Sequence, residues 1–242
     1  MLPILYQSRD IVIYSYPLLM GLGWGVAYQV FMNGLPASFP RHLSQFIFWG
    51  LFLSSWVGAK TLFLWTRPDA LTLIEELSFW TGGGFVFYGG LILGGCFMLT
   101  LRFFRPEASF TAEQSLLIAL PLGHAIGRVG CFLAGCCYGK VSSASWAIHQ
   151  HGVNRHPTQL YEALGLGILT LILSKLRHSK KDLLSTYLLG YGSLRLVLEF
   201  LRGDEIRGSL WGYPPSQVLS LLFLGAGLVV YFKRSQGLRS LH

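Results

Sequence analysis

Three cations stand where so apolar a chain should not carry them. Lys60, Arg128 and Arg195 fall well inside hydrophobic stretches, whereas the other sixteen Lys and Arg residues lie between such stretches or at their very ends. A cation at the centre of a bilayer-spanning helix costs about 2.5–3.5 kcal/mol on the insertion scale, so it is kept for a task or a partner. Arg128 lies in GHAIGRVGCFLAGCCYG, residues 123–139, among glycines at 123, 127, 130, 135 and 139. Glycines at near-helical spacing imply close helix packing by themselves. An unpaired arginine among them implies more. Its small neighbours leave room for a large anionic ligand, and the planar guanidinium binds phosphate bidentately.

Two further blocks carry polar groups at useful spacing. Residues 155–162, RHPTQLYE, mark a helix start at His156-Pro157, followed by Thr158, Gln159, Tyr161 and Glu162. Glu162 there is read either as an acid favouring the positive end of the helix dipole or as part of a polar site. Residues 191–202, YGSLRLVLEFLR, place Arg195 and Glu199 at i, i+4, the spacing of an intrahelical ion pair, with Arg202 on the same face at i+7. A paired arginine still has donors to spare for a phosphate. A fourth block, TGGGFVFYGGLILGG at 81–95, sets Tyr88 among glycines, either for packing or for close approach of a lipid.

Cys131, Cys136 and Cys137 give C-x4-C-C, which is not a standard zinc spacing and has no clear histidine companion. Helix packing is the first reading of these thiols, ahead of a disulfide or thiol chemistry. His149, His151 and His156 read as surface residues of a loop. Ser and His occur without a nucleophile elbow, which leaves a serine hydrolase little support.

The elements that must position these residues follow from composition. Of 242 residues 52% are hydrophobic and 12% charged; soluble domains run near 45–50% and 25%. A soluble enzyme is excluded, and 17 Phe, 11 Tyr and 7 Trp exclude disorder. The net charge of +8 fits cationic loops against anionic head groups better than nucleic acid, since no basic stretch is interleaved with aromatics. The fold class is an all-α polytopic membrane protein. About seven transmembrane helices are predicted at 11–32, 43–65, 83–101, 113–133, 160–176, 183–201 and 214–232, forming a single integral membrane domain over 1–242 without a separate soluble domain.

Pro36, Pro40, Pro68, Pro106 and Pro157 fall in the breaks. Thr111-x-x-Gln114 reads as a capping box opening the fourth span, and the short fifth span as an interrupted or tilted helix. The first apolar stretch shows no small-residue cleavage pattern, so no cleavable signal peptide is expected.

Counting Lys and Arg on alternate sides gives ten inside and six outside when the N-terminus is outside and the C-terminus cytoplasmic. That orientation puts Lys60, Arg128 and Arg195 in the outer halves of their spans. Tyr16, Tyr88, Gln159, Tyr161, Glu162 and Gln217 fall at a similar depth, so polar groups of at least six spans converge on the outer leaflet.

In this order the four blocks resemble the bacterial prolipoprotein diacylglyceryl transferase family, over roughly residues 10–232. The resemblance implies a multi-pass protein of the bacterial inner (cytoplasmic) membrane with seven helices and its N-terminus outside. It implies transfer of a diacylglyceryl group from phosphatidylglycerol to the lipobox cysteine thiol of a prolipoprotein signal peptide, with release of glycerol phosphate. The partners are these substrates and membrane lipids, with no nucleic acid, cofactor or metal. Essential roles fall on Tyr16, Arg128, Gly139 and Arg195, with Gln159, Tyr161, Glu199 and Arg202 in support; Lys60, at the same depth, joins the substrate-binding set.

The family's histidine in its second glycine-rich block is Tyr88 here, which places Tyr88 among the catalytic residues. Cys131 and Cys136 stand where the family shows asparagine and glutamate, and the loop between the fourth and fifth spans is shorter. A thiol of pKa about 8.5 needs a base, and a phenol near 10 is a weak one. A non-catalytic binder of anionic phospholipid, with the same arginines as a clamp, is the alternative. A membrane thiol redox protein is a third reading.

Overall fold

The computed structural model describes residues 2–9, 12–66, 72, 86–177, 182–203 and 213–239, with the backbone alone for 87 and 234–239. Among them the chain forms seven helices and two short antiparallel hairpins. In order these are β1 (Ile4–Gln7), β2 (Val12–Tyr14), α1 (Ser15–Gly34), α2 (Arg41–Thr66), α3 (Phe87–Phe104), α4 (Pro106–Ala134), β3 (Ile148–Gln150), β4 (Val153–Arg155), α5 (Thr158–Leu176), α6 (Leu183–Leu201) and α7 (Pro215–Arg239). The fold is all-helical, and each predicted span has its helix. Four helices, α2, α4, α5 and the 215–233 stretch of α7, are long and apolar enough to cross a membrane. Their outward faces fit that environment: Trp49, Leu53, Leu164, Leu171, Leu221 and Leu222 are all exposed. In water such a surface would aggregate; in hydrocarbon it is the solvated face.

Local chemistry explains most boundaries. Pro36 and Pro40 separate α1 from α2, Pro106 is the first residue of α4, and Pro157 is the N-cap of α5; Pro68 lies outside the described residues. Asp182 caps α6 by accepting from Leu184 N at 3.2 Å and Ser185 N at 3.3 Å, which stabilises that end by about 1 kcal/mol. Three expectations are corrected. Helix α4 begins at Pro106, so Thr111 lies inside it and makes no capping box. Proline's fixed φ at the first helical position and the acid Glu107 beside the dipole already start the helix. The first helix begins at Ser15 rather than near Ile11, because Val12–Tyr14 pair with β1. The short fifth span is one unbroken helix of 19 residues.

The chain divides into two compact units, residues 1–30 with 116–242, and residues 31–115. In the first, Leu117, Ile118 and Ala125 of α4 pack with Leu166, Leu169 and Leu173 of α5 and Leu183 and Tyr191 of α6. Helix α1 meets α4 at glycines: a Cβ on Gly23 would stand 2.7 Å from the Gly123 carbonyl oxygen. In the second unit α2 and α3 cross at Gly58 and Gly89, where a Cβ on either would press on the other's carbonyl oxygen. Of the described glycines of the 81–95 block, Gly89, Gly90 and Gly94 therefore serve packing, whereas a Cβ on Gly95 would meet only open space. Gly58→Leu is expected to cost about 1–3 kcal/mol by wedging the pair apart, read as a lower melting temperature in detergent. An unchanged melting temperature would reject this packing.

Candidate active site

The first unit brings together the polar residues of α4, α5 and α6. Arg128 of α4 reaches Glu162 of α5: Nη2 donates to Oε1 at 3.1 Å, and Nε lies 3.0 Å from Oε2, outside hydrogen-bond alignment. The expectation of an unpaired Arg128 is thereby corrected; its partner comes from another helix, 34 positions along the chain. His124, one turn before Arg128 on the same face, puts Nε2 3.8 Å from Glu162 Oε1 and its ring edge-on to Tyr191. Glu162 is thus held by two residues on one face of α4, with a side chain only 3% exposed.

Helix α6 supplies the second pair. Arg195 Nη2 is 3.2 Å from Glu199 Oε2, the predicted i, i+4 bridge. Its other terminal nitrogen, Nη1, is buried and has no hydrogen-bond partner among the described residues. Arg202 caps α6 in extended conformation and is 8% exposed. Arg195 and Arg202 both lie within electrostatic range of Glu162. A buried guanidinium nitrogen without an acceptor favours an anionic ligand.

The turn after α4 is held by the start of α5. Gly135 and Cys137 take φ of 78° and 62°, and this left-handed step carries the chain back over the helix end. At Cys137 the conformation costs a side chain about 1–2 kcal/mol. Gln159 Nε2 donates to the Cys136 carbonyl at 2.7 Å and Thr158 Oγ1 to the Cys137 carbonyl at 3.1 Å, which fixes the turn. The Sγ atoms of Cys131, Cys136 and Cys137 consequently lie within 4.8 Å of one another. Arg128 Nη1 stands 4.0 Å from Cys131 Sγ. Hydrogen bonds from Cys131 and Cys136 hold the Cys137 thiol well below its ordinary pKa, helped by the charges of Arg128 and Arg202.

Gly139 follows in a seam of backbone bonds. Its N–H donates to His156 O at 3.1 Å, and it bridges to Arg202. A Cβ there would press on the His156 carbonyl, so only glycine fits. Tyr161 turns its hydroxyl to the preceding loop, accepting from Trp146 Nε1 at 2.8 Å and meeting His156 Nδ1 at 3.3 Å. Tyr16, in the first turn of α1, has its ring beside Gly130 and lies within electrostatic range of the three thiols and Arg128. Of the three loop histidines, His149 and His151 are exposed and His156 is half-buried.

The structure thus gathers Tyr16, Arg128, Gly139, Gln159, Tyr161, Arg195, Glu199 and Arg202 in one unit. Lys60 and Tyr88 belong to the other. Lys60 is buried on α2 with Nζ 6.0 Å from the Trp56 ring centroid, and Tyr88 is half-buried in the first turn of α3. Sequence reasoning left Glu162 and Thr158 undecided and missed His124. His124 carried a signal, since it precedes Arg128 by four residues and must share its face.

Long helices with apolar outer faces and a buried arginine–carboxylate cluster define a membrane protein that keeps polar chemistry inside it. The chain belongs to the prolipoprotein diacylglyceryl transferase family, which matches residues 3–233. It is 30% identical over 241 residues to phosphatidylglycerol–prolipoprotein diacylglyceryl transferase 2 of Clostridium perfringens, covering 94% of this chain and 93% of that protein. It is 28% identical over 246 residues to the corresponding transferase of Clostridium tetani (96% and 97% covered). For that of Finegoldia magna the identity is 29% over 235 residues (93% and 91%).

Proposed function

We propose that this protein transfers a diacylglyceryl group from phosphatidylglycerol to the lipobox cysteine thiol of a prolipoprotein, forming a thioether and releasing glycerol phosphate. The observation that carries the reading is the buried pairing of Arg128 with Glu162 and of Arg195 with Glu199, with Arg195 Nη1 buried and unpartnered among the described residues. A phospholipid phosphate supplies an acceptor for that nitrogen. When the thiolate sulfur attacks the glyceryl carbon, the C–O bond breaks and the phosphate leaves as a monoester with one more negative charge. Donors already fixed around it stabilise that added charge most in the transition state. Glu162 and Glu199 hold the two guanidiniums so that they need not reorganise.

In this reading Tyr16 faces the donor lipid beside Arg128, Gln159 and Tyr161 shape the turn and loop that line the acceptor, and Gly139 lets the helix ends meet. Lys60 and Tyr88 keep the roles their positions in the sequence imply, Lys60 as a further cation for the lipid and Tyr88 at the position of the family's base. All seven helices cross the bacterial inner membrane as one integral domain, with the N-terminus outside and the C-terminus in the cytoplasm. The site then opens to the outer leaflet.

The test uses protein purified in detergent, labelled phosphatidylglycerol and a lipobox peptide with a free cysteine. Glycerol phosphate release and a peptide heavier by one diacylglyceryl group are expected together. Intact lipid with an unmodified peptide would reject the reading.

A further inference from the structure

The arginine chemistry leaves three converging thiols unused. Cys131 belongs to the last turns of α4, and Cys136 and Cys137 to the turn that folds back on it; their Sγ atoms lie within 4.8 Å of one another. Packing of small thiols does not require this. The turn is held against its own preference, with Cys137 at φ 62° and both thiol-bearing carbonyls tied by Gln159 and Thr158. None of the three is in a disulfide, and they grade from buried Cys131 through half-buried Cys137 to exposed Cys136. The cluster therefore reaches from the arginine site, where Arg128 Nη1 is 4.0 Å from Cys131 Sγ, to an accessible edge.

We propose that Cys131, Cys136 and Cys137 form a three-thiolate site for a soft divalent cation of the zinc class, whose fourth position takes the sulfur of the acceptor cysteine. An all-sulfur donor set selects thiophilic ions and excludes magnesium and calcium. Zinc–sulfur bonds of about 2.3 Å in a tetrahedron put sulfurs about 3.8 Å apart, so the thiols close by roughly 1 Å through side-chain rotation. Catalytic zinc sites pair three protein ligands with one exchangeable position, the number found here. Three thiolates and a divalent ion carry one net negative charge, and Arg128 and Arg202 stand within electrostatic range to offset it.

This inference rests on the transferase reading and deepens it. A coordinated thiol is deprotonated by the metal itself, so the strong base that Tyr88 does not provide is not needed. The acceptor S–H gives its proton to water on binding. Its sulfur lone pair then forms the C–S bond to the glyceryl carbon as the C–O bond breaks, and that bonding pair leaves with glycerol phosphate. Donor phosphate on Arg128 and acceptor sulfur beside Cys131 are neighbours by construction.

The full chain, purified without chelator, is expected to hold one zinc by mass spectrometry and to lose it in Cys131→Ser, Cys136→Ser and Cys137→Ser. Cys96→Ser, on exposed Cys96 of α3, keeps it. Cobalt substituted into the site is expected to show thiolate charge-transfer absorption. Its ligand-field bands should shift on adding the lipobox peptide, but not the peptide with serine for cysteine.

Since a serine variant can misfold, wild-type protein is also stripped by chelation: transfer should fall about 10–100-fold or more and return with zinc. Wild-type protein that binds neither zinc nor cobalt yet transfers diacylglycerol overturns the metal site and leaves the transferase reading intact. Bound cobalt indifferent to the peptide thiol overturns the acceptor role. A peptide-sensitive cobalt site in protein that never turns over phosphatidylglycerol supports the metal site and overturns the transferase reading.

Discussion

Arg128→Ala is expected to lower transfer from phosphatidylglycerol by about 10²–10³-fold or more, with most of the loss in kcat, while the protein still folds. Arg128 faces a phosphate that gains charge as its ester bond breaks, so its contribution is greatest in the transition state. Arg128→Lys should recover little. An ammonium is a single point charge, whereas the guanidinium presents Nη2 and Nε to Glu162 and turns Nη1 toward Cys131. Folding survives because the orphaned partner can adjust: Glu162 can take up a proton and become neutral, with His124 3.8 Å away. Single-turnover assays on the two variants check this. A wild-type rate in Arg128→Ala would remove Arg128 from the reaction.

Glu162→Ala should behave in the opposite way. A buried arginine cannot lose its proton, so removing the carboxylate leaves Arg128 charged and uncompensated, with Arg195 and Arg202 nearby. The expected cost is about 3–5 kcal/mol, seen as a large drop in melting temperature. Replacing both residues, Arg128→Met with Glu162→Ala, is expected to restore much of the stability and none of the activity. Phosphatidylglycerol should also raise the melting temperature of Glu162→Ala more than that of wild type, because the lipid phosphate supplies the missing anion. Equal stability of Glu162→Ala and wild type would show that the pair does not hold the site together.

This asymmetry also marks where sequence reading reaches its limit. The seven helices were legible because each is a long apolar run bounded by proline, glycine or charge. The Arg195–Glu199 bridge was legible because a helix fixes what i, i+4 means. Arg128 with Glu162 was not, since two residues on different helices meet only when packing sets the rotation of both. The thiol cluster was hidden for a related reason. C-x4-C-C does not bring its sulfurs together in a continuous helix; it does so here because the chain leaves α4 through left-handed steps at Gly135 and Cys137. The start of α4 misled because Thr111 and Gln114 satisfied a capping pattern five residues inside a helix that Pro106 had already begun.

The seam after the thiol turn has a consequence for how this lineage changes length. Lys140 N donates to Leu201 O, His156 N to Lys140 O, and Gly203 N to Tyr138 O, so residues 138–140 are stitched to segments on both sides. One residue inserted there would shift the register of every stitch and unhook the ends of α4, α5 and α6 together. The β3–β4 tip at His151 and Gly152 is exposed, and a Cβ on Gly152 would meet only open space. Additions beside Gly152 that keep His151 Nε2 at the Gly135 carbonyl, 2.7 Å away, leave the stitching intact. Growth and loss of loop sequence among descendants should therefore accumulate at Gly152 and stop at 138–140.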